Sequence, residues 1–111
     1  MICEDPSRIE IFMYRGMYRI LILSILERSK MRGYHILKNI ARLTGMKPSL
    51  STLHDILSEM EGNKLISSIT EQTNEKYYVI TSLGREKLRE IRDKCKEKIM
   101  NITNFILGRR E

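Results

Sequence analysis

PSLSTLHDILSEMEGNKLISSITE, residues 48–71, reads as a short helix that runs directly into a strand. Pro48 cannot sit inside a helix, and Ser49 can cap the next one by accepting bonds from its first free N–H groups. Leu53, Ile56, Leu57 and Met60 recur three or four apart and give this helix one apolar stripe. Gly62-Asn63 favours termination, so the helix is expected to end near Glu61. Ile66 to Thr70 and Lys76 to Thr81 are then rich in β-branched or aromatic residues. With Glu71-Gln72-Thr73-Asn74-Glu75 between them, they predict a β-hairpin. Tyr77-Tyr78 fits strand alternation, one ring inward and one toward solvent.

Upstream, Tyr34, Ile36, Leu37, Ile40 and Leu43 predict a second helix, stopped by Gly45 and preceded by a break at Met31-Arg32-Gly33. From Ser7 to about Arg28, Ile9, Phe12, Met13, Met17, Ile20, Leu21, Leu23 and Leu26 predict a helix with a wide buried face. Ser7 with Glu10 three residues on has the capping-box pattern. Downstream, Thr81 is placed to cap a helix from Ser82 to about Leu107.

Short helices cannot bury their stripes alone, and an isolated hairpin is marginal, so these pieces must pack together. Two helices joined by a turn, with a hairpin immediately after, form a winged helix-turn-helix. Such a unit presents a helix of major-groove width with its free side outward, and its hairpin can touch the neighbouring backbone.

The 111 residues, 41% hydrophobic and 31% charged, suit one compact domain with one modest core. The most apolar stretch, Tyr18 to Leu26, is interrupted by Arg19 and too short to span a bilayer. Glu4, Asp5 and Pro6 stand where a secretory signal needs a basic start. A cytoplasmic protein without membrane association is therefore expected. Cys3 and Cys95 have no His or Cys at metal-ligand spacing and read as free thiols, with a bridge between them open if the chain ends meet.

The net charge of +6 suggests a polyanionic partner. Residues 82–111 contribute most of it, with nine basic and five acidic side chains, and a solvated helix explains that equally well. His35 and His54 have no acid or nucleophile in a catalytic arrangement, and the seven Met lie mainly at core spacing. Neither enzymatic activity nor a cofactor or metal is expected.

The sequence resembles the PadR family of transcriptional regulators. The likeness is carried by Ile22-Leu23-Ser24-Ile25-Leu26, Gly33-Tyr34, Ser49 with Thr52-Leu53, Leu57, Met60-Glu61 and Leu65-Ile66. It continues through Tyr77-Tyr78-Val79-Ile80-Thr81 to Gly84, and covers roughly residues 18 to 92. There are departures. His54 stands where the family often has Tyr, and Lys64 where it usually has Gly. The loop tip carries Glu71 and Glu75 where the family's wing is usually basic. Two carboxylates there would be repelled by phosphate, which sets wing–DNA contact against the resemblance.

The third helix is expected to expose Ser51, Thr52, His54, Asp55, Ser58 and Glu59. Ser49, Ser51, Thr52 and His54, near its N-terminus, are the candidates for base edges or phosphates; a capped polar face without a partner is the bland alternative. Arg32, Tyr34, Lys38, Lys47, Lys64 and Lys76 flank that helix in sequence and are the candidates for phosphate contact. In the last helix Leu88, Ile91, Cys95, Ile99, Ile102 and Ile106 approach a heptad seam. A helix of about 25 residues reaches about 37 Å, more than so small a domain covers, so a homodimer interface is expected along it. The alternative is packing on the first helix of the same chain. The resemblance implies a dimer built by the C-terminal helix and often the first.

The expected fold class is mainly α with a two-stranded β wing. It is a winged helix-turn-helix, ordered α-α-α-β-β-α, plus a long C-terminal helix forming a homodimer. Residues 1–81 are assigned to DNA binding and 82–111 to dimerisation within a single compact chain. The expected function is a sequence-specific, double-stranded-DNA-binding regulator, a repressor by steric occlusion. Its rivals are a winged-helix protein-interaction module and an architectural protein that coats DNA without choosing sequence. No small-molecule effector is predicted.

Overall fold

Hydroxyl caps start three of the helices in the computed structural model, which describes residues 7–109. Ser7 opens α1 (Arg8–Arg28): its hydroxyl accepts the Glu10 N–H at 3.2 Å, and its own N–H reaches the Glu10 carboxylate at 3.5 Å. Ser49 caps α3 (Leu50–Gly62) through the Thr52 N–H at 3.1 Å. Thr81 caps α4 (Ser82–Lys94) through the Gly84 N–H at 3.0 Å. Between the first two lies α2 (Gly33–Thr44), ended by Gly45 at φ 71°. All four caps were readable from the sequence because each needs one residue type at one offset.

Strands β1 (Ile66–Thr70) and β2 (Lys76–Ile80) pair antiparallel, with Ile66 opposite Ile80 and Thr70 opposite Lys76. The break between α1 and α2 turns out to be structured. The Met31 N–H donates to the Tyr78 carbonyl at 3.2 Å, and the Tyr78 N–H to the Met31 carbonyl at 2.9 Å. The linker thus lies beside β2 as a one-residue third strand.

The core gathers Tyr18, Ile22 and Leu26 of α1, Ile36, Leu37 and Ile40 of α2, and Leu53, Leu57 and Met60 of α3. Ile66, Tyr78 and Ile80 close it from the hairpin, and Leu88 from α4. A fully buried side chain of this size contributes about 1.5–3 kcal/mol.

Two expectations are corrected. The wide buried face of the first helix holds only for its C-terminal half, since Ile9, Phe12, Met13, Met17 and Ile20 are exposed. Periodicity defines a face without saying what covers it. The single C-terminal helix is two segments: α4 gives way at Cys95 (φ −108°, ψ 0°) to α5 (Lys96–Ile106). Hydrogen bonds run through the joint, from the Cys95 N–H to the Ile91 carbonyl and from the Ile99 N–H to the Cys95 carbonyl, at 3.0 and 2.8 Å. The helix is interrupted at one residue, and these two bonds bridge the joint. The joint falls where packing on the chain's own core ends, for α5 contains no buried residue. The radius of gyration, 15.5 Å, exceeds the roughly 13 Å of a compact chain of this length because α5 leaves the body. Cys3 lies outside the described residues, and with it the question of a bridge to Cys95. Among the described residues no helix is long and apolar enough to cross a membrane.

Gly84 sits where α4 meets the α3–β1 corner. A Cβ there would lie 2.1 Å from the Leu65 carbonyl oxygen, a backbone atom that cannot step aside. Gly84→Ala should therefore lower stability by about 1–3 kcal/mol, the usual cost of overpacking a fixed neighbour. Urea denaturation of the full chain measures it, and an unchanged midpoint would contradict the packing described.

Candidate nucleic-acid interface

The outward face of α3 begins with a hydroxyl cluster. Ser49 Oγ lies 2.8 Å from Thr52 Oγ1 and 3.5 Å from Ser51 Oγ. Ser51 and His54 are exposed, while Thr52 is half-buried and, with Ser49, partly committed to the cap. Leu50, which sequence reasoning passed over, is 68% exposed beside them. It belongs to neither the apolar stripe nor the polar set, so no pattern singles it out.

Tyr34, 56% exposed at the start of α2, shares an apolar notch of about 230 Å³ with Leu50, Leu53, His54 and Tyr78. Lys38, one turn further along α2, holds its Nζ 5.2 Å from the Tyr34 ring centroid. On β2, Lys76 holds its Nζ 5.2 Å from the centroid of the Tyr78 ring on the same strand. Lys47 flanks the other side, lining a cavity of about 200 Å³ with Arg15, Ser49 and Thr52. The fold thus brings Tyr34 and Lys47 beside the start of α3, with Lys38 and Lys76 set over the Tyr34 and Tyr78 rings.

Lys64 is not part of that group. It stands past the far end of α3, which at 13 residues is about 20 Å long. Arg32 is near the wing but engaged, its Nη1 3.4 Å from a Glu75 oxygen.

The carboxylates on this side are largely compensated. Glu59 receives both arms of Arg19, one at 3.1 Å, and this hydrogen bonding holds its carboxyl below the ordinary range. Glu71 pairs with Lys30. Glu75, besides Arg32, accepts the Tyr77 hydroxyl at 2.9 Å, which raises the Tyr77 phenol above its usual value. The repulsion expected of an acidic wing tip is therefore muted. Arg19 and Lys30 were missed because their partners lie about 40 residues away in sequence, and Arg15 because it meets residues 46–52 only across a cavity, both beyond the reach of any local pattern.

The seam residues divide. Leu88 is 1% exposed and belongs to the chain's own core; Ile91 and Cys95 are half-buried. Ile99, Ile102 and Ile106 are exposed, joined by Met100, Leu107 and Phe105, the last 87% exposed. Phe105 is three residues from Ile102, and a strict heptad count skips it. Among the described residues no group of three His, Cys, Asp or Glu could hold a metal ion.

The family model for the transcriptional regulator PadR-like family matches residues 22–90. The chain belongs to that family. It is thus a DNA-binding transcriptional regulator with the winged-helix fold, and not an enzyme. A solved transcriptional regulator from Clostridium thermocellum is 29% identical; the match covers 94% of this chain and 96% of that one, with a TM-score of 0.71. A PadR family transcription regulator from Clostridium difficile R20291 is 31% identical over 84% of this chain and 100% of its own, with a TM-score of 0.69. A PadR-like regulator from Bacillus cereus, 23% identical, shares the fold at a TM-score of 0.75 over 86% of this chain and 96% of its own. No curated protein matches the chain.

The family's usual Gly before Leu-Ile finds its reason in this PadR-like chain. Asn63 ends α3, the Lys64 N–H bonds the Glu61 carbonyl, and the Leu65 N–H bonds the Met60 carbonyl, both at 3.0 Å. That is a Schellman motif, whose C′ residue takes the left-handed conformation and is usually Gly. Lys64 adopts it, at φ 64°. The expected stop at Gly62-Asn63 is thus completed by a lysine in a strained position. Lys64→Gly should raise stability by about 0.5–1 kcal/mol, since relief of about 1–2 kcal/mol exceeds the unfolded-state entropy of about 0.4–1 kcal/mol. A urea midpoint that falls instead would refute this reading of the turn.

Proposed function

We propose that this PadR-like regulator acts as a homodimer that sets two α3 helices into successive major grooves on one side of a duplex and represses by occluding the promoter. One observation carries the reading. The N-terminal end of α3 is exposed and bordered by Tyr34 and Lys47, with Lys38 and Lys76 over the Tyr34 and Tyr78 rings, while α1 and α5 leave apolar surface uncovered elsewhere.

In this reading Ser51 and His54 reach base edges, with Ser49 and Thr52 offering hydroxyls beside the free N–H groups of the helix end. Lys38, Lys47 and Lys76 neutralise phosphates, with Tyr34 as a neutral donor. Arg32 joins them through the wing, and Lys64 meets only the outer edge of a bound duplex. The carboxylates that would favour a protein partner, Glu71 and Glu75, are held by Lys30 and Arg32. Ile99, Ile102, Phe105 and Ile106 form the self-association surface with Phe12, Met13 and Met17, and Ile91 and Cys95 lie at its edge. Leu88 anchors α4 to its own chain. The proposed division at residue 81 is accordingly one of role, because α4 also completes the core.

Selection of bound duplexes from a random pool should return a two-fold-symmetric motif with half-sites about one DNA turn apart. Binding should weaken with salt, with a log–log slope of roughly −0.9 per phosphate contact. Lys38→Ala should make that slope shallower by about 0.9 and leave the motif alone, whereas His54→Ala should alter the motif. Binding without any recovered motif would favour the architectural alternative.

Sedimentation of the full chain at micromolar concentration should give a dimer. The double variant Ile102→Asp/Phe105→Asp should give a monomer with its helical circular dichroism retained, since neither residue is buried in the single chain. A wild-type monomer would end the dimer proposal.

A further inference from the structure

The wing tip and the α1–α2 linker share a closed charge network. Lys30 and Arg32 flank Met31, whose backbone bridge to Tyr78 fixes the linker beside β2. Residues two apart on an extended segment project to the same face, so both cations leave the linker on one side. Opposite them, the hairpin loop is closed by the Glu71 N–H donating to the Glu75 carbonyl and the Asn74 N–H to the Glu71 carbonyl, both at 2.9 Å. This closure brackets the loop between the two acidic residues. Lys30 Nζ bonds Glu71 and stands 5.1 Å from the Tyr77 ring centroid. Arg32 Nη1 lies 3.4 Å from Glu75 Oε1, and the Tyr77 hydroxyl donates to Glu75 Oε2 at 2.9 Å.

The network has two positive and two negative charges and so presents no net charge. All four side chains keep about 40–50% of their surface exposed. Exposed pairs of this kind contribute little stability, so a phosphate arriving at the wing can exchange with the carboxylates.

We propose that the wing of this protein is masked by its own chain: Glu71 and Glu75 occupy Lys30 and Arg32, and duplex phosphate must displace them before the wing engages DNA. Lys30 thereby joins the phosphate-contacting residues. The proposal rests on the DNA-binding reading above and adds an internal competitor to it. The two carboxylates set how tightly and how salt-sensitively the protein holds any duplex. They do not choose its sequence.

The test uses the full-length protein and a random-sequence duplex at low salt. Glu71→Gln/Glu75→Gln keeps the side-chain shapes and should tighten binding roughly two- to thirtyfold, the range for two exposed pairs. The salt slope should steepen by up to about 1.8, two further phosphate contacts at roughly 0.9 each. Removing any two negative charges could also raise affinity, so two pairwise cycles decide the cause. The gain from Glu71→Gln should vanish in a Lys30→Gln background, and the gain from Glu75→Gln in an Arg32→Gln background. A gain that persists in both backgrounds, or no gain in the wild-type background, overturns the masking proposal while wild-type binding leaves the DNA-binding reading intact. If neither the wild type nor Glu71→Gln/Glu75→Gln retards any duplex, the underlying reading itself has failed.

Discussion

The carbonyl of Leu65 is the point on which the fold turns. It accepts the Thr81 N–H at 3.1 Å and the Thr81 hydroxyl at 3.0 Å, and the same hydroxyl reaches the Lys64 carbonyl at 2.6 Å. Gly84 must lack a side chain because its backbone passes directly beside that oxygen. The corner from α3 into β1 is thereby clamped to the corner from β2 into α4. Two features far apart in sequence, the left-handed residue after α3 and the glycine in the first turn of α4, are halves of one constraint. It fixes the angle at which α3 leaves the body, and with it the direction in which the start of α3 faces.

Charge is distributed in keeping with that geometry. Among the described residues four carboxylates are spent on ion pairs between distant parts of the chain: Glu59 with Arg19, Glu27 with Arg92, Glu71 with Lys30 and Glu75 with Arg32. The Glu27 pair joins α1 to α4 through two bonds, at 2.8 and 2.9 Å. Each such pair cancels one negative and one positive charge in the field that a polyanion meets. None of Lys38, Lys47, Lys64 and Lys76 takes part in the ion pairs among the described residues. The acidic residues in the sequence around α3 therefore do less to oppose DNA than their number suggests. Asp55 is the exception, an exposed carboxylate on α3 outside those pairs.

What the sequence revealed and what it hid follow a physical division. Caps, stops and stripes were legible because Ser7, Ser49, Thr81 and Gly45 act within one turn of themselves. The order of elements and the position of the hairpin followed the same local signals. Three things were not legible. Arg19 and Lys30 find their partners only after the chain folds. Lys64 occupies a glycine's conformation without being one, so only the family pattern flagged it. The apolar residues at the start of α1 have the same spacing as those further along, yet Tyr18, Ile22 and Leu26 are buried and Ile9 and Phe12 are not. A hydrophobic period identifies a surface that wants covering and leaves the cover unnamed.

That last distinction makes α1 the structural link between the proposed interface and the proposed DNA contact. Its C-terminal half belongs to the core, while its N-terminal half offers Phe12, Met13 and Met17 to solvent. In the proposed dimer a partner chain would cover that half. On its other side the same half meets the entry to α3: Ile11 and Arg15 of α1 border one cavity with Met46, Lys47, Pro48, Ser49 and Thr52. A change in how two copies seat along α1 would thus act on the helix that borders Ser49, where the candidate recognition helix begins. Association and DNA recognition would then share one helix rather than one linker, so the spacing of two α3 helices would be set by packing rather than by a flexible tether.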